Sequence, residues 1–183
     1  MRTPVPGEGE RDVDRPSGGR IAVIGVGNPL RRDDEVGWSV VRRVDARSKR
    51  APLPEGAQLT CCDGDPERLI SLWQDTDATI LIDAASTGGR AQPGTVTRCE
   101  PEAGSPWHTG AASSHGLGPA AAFELGRILG RSPRRLIVFT VEGGDFSMGE
   151  GLTERVAGAV ECVAGLVEKE IHSAISPDAF GRS

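Results

Sequence analysis

No run of apolar residues in this chain approaches the roughly 18 that a membrane-crossing helix needs, so none is expected to enter a bilayer. The first residues hold no apolar stretch behind a basic start, and no secretory signal is expected. Positive charge is not in excess. The 21 Lys and Arg stand against 26 Asp and Glu, and a net charge of −5 argues against general nucleic-acid binding. Cysteine is scarce: Cys61, Cys62, Cys99 and Cys162 form no C-x-x-C pair and no zinc-ligand spacing. Adjacent Cys61 and Cys62 in a strand-like run point to opposite faces, so at most one is expected to face the core. All four read as reduced structural thiols of a cytosolic protein. There is no internal repeat. The common hydrolase signatures are also missing: no H-E-x-x-H, no G-x-S-x-G and no C-G-x-C-W.

What is present describes a soluble α/β domain. The 183 residues suffice for one domain with a sizeable core, and 37% hydrophobic with 26% charged residues is a globular composition. Residues 1–19 are rich in Pro, Gly and charge and read as a disordered tail, as does the stretch from Ser173. Between them, residues 20–172 read as a single domain of alternating strands and helices. Strands are expected over Arg20–Val26, Ala57–Cys62, Ala78–Ala84, Gly94–Arg98 and Arg135–Val141. Helices are expected over Asp34–Arg47, Pro66–Trp73, His115–Leu129 and Leu152–His172. The first would be capped by Asp33 or Asp34, and the third by Ser113 or Ser114 with Gly130 and Pro133 as its stop. The link between the third and fourth strands is only about ten residues, short for a parallel crossover, so the fourth strand should be an antiparallel edge. The expected fold is a three-layer α/β/α sandwich around a roughly five-stranded, mostly parallel twisted sheet.

In open parallel sheets, ligands bind beyond the carboxyl ends of the strands. Three polar residues should converge there. Asp83 sits within the apolar run Ile80-Leu81-Ile82-Asp83-Ala84-Ala85, near the end of the third strand, where an ionised carboxylate is costly unless paired or metal-bound. Asp34 follows the loop after the first strand, and the Asp33-Asp34 doublet allows one carboxylate to cap while the other faces the cleft. His115 opens a helix, whose dipole disfavours the imidazolium and leaves a neutral, ligating ring. Two carboxylates and an imidazole suit a borderline metal such as nickel, zinc or iron. Each residue also has an ordinary structural use: Asp34 as a helix cap, Asp83 as an acceptor for loop amides, His115 as a packed, hydrogen-bonded ring.

The segments Gly25-Val26-Gly27-Asn28-Pro29-Leu30-Arg31-Arg32-Asp33-Asp34, Leu81-Ile82-Asp83-Ala84 and Ser114-His115-Gly116-Leu117 resemble the three signature segments of the hydrogenase maturation protease family. Gly149-Glu150-Gly151-Leu152-Thr153 resembles that family's entry into its last helix. The likeness runs from about Arg20 to Ile171. It implies an endopeptidase that removes the C-terminal extension of the large subunit of a nickel–iron hydrogenase once nickel is in place. It implies that Asp34, Asp83 and His115 are the catalytic and metal-contacting residues, and that the nickel arrives with the substrate. That metal would position the peptide, polarise the scissile carbonyl or activate a water. The implied partner is the large-subunit precursor, and the chain is expected to be a cytoplasmic monomer. Two positions depart from the family pattern: Glu35 stands where many members have Gly, and Asp63-Gly64-Asp65-Pro66 replaces a frequent D-G-G-T, which weakens any role for Asp63.

Rival readings are a nucleotide-binding fold and a nickel chaperone that inspects the precursor without cutting it. Gly25-Val26-Gly27 follows a strand, but the third Gly of a dinucleotide fingerprint is Leu30, and Asp63 lies too far along for a ribose-binding acid. The chaperone would need the same ligands as the protease. The Gly-rich stretches 104–118 and 143–151 are candidate flaps over an extended peptide, with Trp107 and Phe146 as candidate substrate contacts.

Overall fold

A computed structural model of the protein describes residues 19–101 and 118–175. The chain runs β1 (Ile21–Val26), a 3-10 turn (Arg32–Glu35), α1 (Val36–Ser48), β2 (Ala57–Cys62), α2 (Pro66–Trp73), β3 (Ala78–Ala85), β4 (Val96–Cys99), α3 (Pro119–Ile128), β5 (Leu136–Glu142) and α4 (Glu154–Ile175). The five strands form one sheet in the order β2-β1-β3-β5-β4. All neighbours are parallel except β4, which lies antiparallel on β5 at the edge. Strand β3 sits between β1 and β5, and all eight of its residues are buried. A strand covered on both faces needs continuous apolar character, which isolates Asp83 as its one ionisable residue.

The helices make the outer layers. On one face, Val40 and Val44 of α1 pack with Val163 and Val167 of α4 against Ile80, Ile82 and Phe139. On the other, Leu69 and Trp73 of α2 and Phe123 of α3 cover Ile24, Leu81 and Val138. Trp73 meets Phe123 edge-on at 6.5 Å. The architecture is the α/β/α sandwich expected, with the antiparallel edge strand in its place. Because both faces are covered, Cys61 packs at the margin of one cluster and Cys62 inside the other, so both adjacent cysteines contact core.

Several boundaries differ from the sequence expectation. The segment 32–35 is a 3-10 turn rather than the start of α1, and no side chain caps the start of either. Gly94 belongs to the turn before β4, at φ +84 and against the Arg155 carbonyl, where a Cβ would lie 2.6 Å away. Helix α3 starts at Pro119 after Gly118, and the expected caps Ser113 and Ser114 lie outside the described residues. Helix α4 continues past His172 to Ile175, because Ala174, only 2% exposed, still packs on the core. Among the described residues no helix is long and apolar enough to cross a membrane.

Candidate active site

Three glycines bring the start of α1 onto the ends of β1 and β3. A Cβ on Gly25 would fall 2.3 Å from the Gly37 carbonyl oxygen, and one on Gly37 would fall 2.4 Å from that of Val26 and 2.5 Å from that of Ile82. Gly27 has φ +139, and a Cβ there would lie 1.7 Å from the Asp34 carbonyl oxygen. Only glycine permits this backbone-to-backbone contact. Since Ile82 precedes Asp83, the same contact carries Asp34 to the end of β3.

The two carboxylates act on each other. Asp83 is 7% exposed and Asp34 is half-buried. Burial, and then the charge of Asp34 beside it, push the Asp83 carboxyl up to about 7, against a lowering hydrogen bond from the Ala84 amide (2.9 Å). Asp34 accepts a hydrogen bond from the Asn28 amide (3.0 Å). Asn28 is itself fixed, its side-chain oxygen accepting from the Leu30 amide (2.9 Å). The loop after β1 therefore forms one wall of the site. Two near carboxylates, one of them held towards its neutral form, favour a cation, which would relieve both the burial and the repulsion. Among the described residues no three His, Cys, Asp or Glu side chains gather as a metal site. His115, expected as the third ligand, lies outside the described residues, as does Trp107.

The Asp33-Asp34 doublet divides its labour in a way the sequence did not disclose. Asp33 is fully buried and caps neither the 3-10 turn nor α1. Its carboxylate accepts from the amides of Gly144 (2.8 Å), Asp145 (3.0 Å) and Thr153 (2.7 Å) and from the Thr153 hydroxyl (2.9 Å). Charge-assisted bonds of this kind are the strong ones. Arg31 donates to the Phe146 carbonyl, and Arg32 pairs with Asp145 at 3.2 Å. Arg32 holds φ +46, rare for an L residue, with its amide on the Gly149 carbonyl at 2.9 Å. The 143–153 segment is thus bolted to the first loop, and this is the correction to its reading as a free flap. Phe146 lies against Gly143 and the margin of the core, so its ring contributes to packing. Asp63 accepts from the Asp65 amide (3.3 Å), which holds its carboxyl below the usual range, and it serves its own turn. Asp65 caps α2 through the Arg68 amide (2.9 Å).

No family model matches the chain. Among curated proteins, the hydrogenase 2 maturation protease of Escherichia coli (strain K12) is 30% identical over 142 residues, 78% of this chain and 84% of that protein. Among solved structures, the hydrogenase maturating endopeptidase HybD from E. coli superposes with a TM-score of 0.68 at 25% identity, covering 85% of this chain and 93% of that one. The [NiFe] hydrogenase maturation protease HybD from Thermococcus kodakarensis shares the fold, with a TM-score of 0.62 at 19% identity over 83% of this chain and 99% of that one. With that identity sustained across most of both sequences, the chain belongs to the hydrogenase maturation protease family.

Proposed function

We propose that this protease removes the C-terminal extension of a nickel–iron hydrogenase large subunit, after nickel has been inserted into that subunit. The observation that carries the reading is the carboxylate pair Asp34 and Asp83 at the carboxyl rim of the sheet, where burial and the neighbouring charge of Asp34 raise the Asp83 carboxyl. The nickel belongs to the substrate. It would be met by Asp34 and Asp83 together with His115, which precedes α3 in sequence. On this reading the isolated protein carries no tight metal, and a chelator does not inactivate it permanently. The chain acts as a monomer in the cytoplasm, a setting consistent with its four free cysteines.

The test is to incubate the purified protein with nickel-loaded and nickel-free precursor and to follow the mass of the precursor by mass spectrometry. Loss of the terminal peptide from the nickel-loaded form alone supports the reading. Tight binding of the loaded precursor with no loss of mass would replace it with a non-cleaving nickel chaperone.

A further inference from the structure

A cleft of about 580 Å³ opens at the carboxyl ends of β3 and β5, beside the carboxylate pair. The sheet register places it. Asp83 on β3 lies opposite Thr140 on β5, and Thr140 lies opposite Thr97 on the edge strand β4. Side chains in register point to one face, so Asp83, Thr140 and Thr97 form a single row across three strands. Thr140 and Thr97 line the cleft, which therefore begins one strand away from Asp83.

The wall of the cleft is built by the connection between β3 and β4. Glu142, 5% exposed at the end of β5, accepts hydrogen bonds from the Thr87 amide (2.7 Å) and hydroxyl (2.8 Å). The Thr87 hydroxyl oxygen in turn accepts from the Ala91 amide (2.9 Å). The Gly143 amide donates to the Ala85 carbonyl (2.8 Å), joining this wall to the segment that Asp33 bolts down. The Glu142 charge is thus occupied within the wall. The other charged residue of the lining, Arg90, is exposed and makes no salt bridge among the described residues. The hydroxyls of Thr97 and Thr140 are likewise without a hydrogen bond among the described residues. What faces the cleft is a guanidinium fork, suited to a carboxylate, and two hydroxyls, suited to peptide groups. A wall already held by hydrogen bonds keeps the ordering cost of binding low.

On the proteolytic reading above, we propose that this cleft holds the substrate polypeptide beside its scissile bond, with peptide groups along Thr140 and Thr97 and an acidic group of the substrate at Arg90. The test uses the purified full chain, nickel-loaded large-subunit precursor and steady-state cleavage followed by mass spectrometry. The variants are Arg90→Glu and the double variant Thr97→Val with Thr140→Val. Each should raise KM by about tenfold or more while kcat changes by less than about twofold, the mark of lost uniform binding. Precursor with the acidic residues flanking the cut changed to lysine should be cut better by the Arg90→Glu variant than by the wild type. An unchanged KM for both variants, while the wild type cuts, overturns the cleft and leaves the protease reading standing. A fall in kcat alone also overturns it. Failure of the wild type to cut loaded precursor overturns the protease reading, and the cleft assignment with it.

Discussion

Asp33 and Thr153 are 120 residues apart in sequence, yet the Asp33 carboxylate accepts both the amide and the hydroxyl of Thr153, at 2.7 and 2.9 Å. Together with the bonds from Gly144 and Asp145, this joins the β1–α1 loop to the β5–α4 segment and seats the start of α4. The next residue, Asp34, can then face Asp83 without being drawn into a capping role.

Asp33→Ala strands three amides and a hydroxyl. It should lower stability by about 3 kcal/mol or more, since truncating a buried charged acceptor leaves its donors unsatisfied. Urea unfolding measures the loss. Asp33→Asn keeps one oxygen acceptor and should fall between wild type and Asp33→Ala. Equal stability of all three proteins would contradict the bolt.

Asp34→Asn and Asp83→Asn each remove the charge of a proposed ligand with little change of shape. Both should abolish processing of the precursor in cells, read as the electrophoretic shift of the large subunit, while circular dichroism stays that of the wild type. Normal processing by both variants would sink the site assignment.

The raised Asp83 carboxyl makes a pH prediction of definite sign. Its folded value, about 7, lies above the ordinary aspartate value of about 3.9. The neutral form therefore favours the folded state. This contribution is complete below about pH 4 and is lost as pH rises through about 7. Urea midpoints of the metal-free protein should accordingly fall between those limits more steeply than those of Asp83→Asn. Cation binding runs the other way, because it needs the ionised carboxylate, and should tighten as pH rises towards neutrality. Identical pH profiles for the two proteins would remove Asp83 as the titrating group.

Glycine substitutions separate close approach from simple flexibility. Gly37→Ala places a methyl group within 2.5 Å of the backbone of both β1 and β3. It should cost about 3 kcal/mol or more and drive α1 off the sheet. Gly158→Ala, in open space on α4, should instead gain about 0.5–1 kcal/mol of helix propensity. Thermal unfolding of the two variants distinguishes the cases, and a tolerated Gly37→Ala would refute the contact.

Much of the fold could be read along the chain because it depends on local pattern and chain length. The bounds of β2 and α2 were legible residue for residue, the first from its apolar run and terminal Asp-Gly, the second from Pro66 at its first turn. The antiparallel β4 was legible because about ten residues cannot make a parallel crossover. Gly25, Gly27 and the carboxylate at the end of β3 were visible as an ordered set, and the family resemblance rested on that order. Three things were decided only by tertiary structure. Asp33 and Asp34 carry the same side chain at adjacent positions, and only the segment near Thr153 determines which is a bolt and which is left to act on Asp83. The Asp83 carboxyl rises because β1 and β5 bury it and α1 brings Asp34 to it. Glu142 and Thr87, 55 residues apart, shape the neighbouring cleft. Periodicity and turn chemistry act over a few residues, whereas the strength of a carboxylate and the partner it accepts from depend on groups brought together by folding.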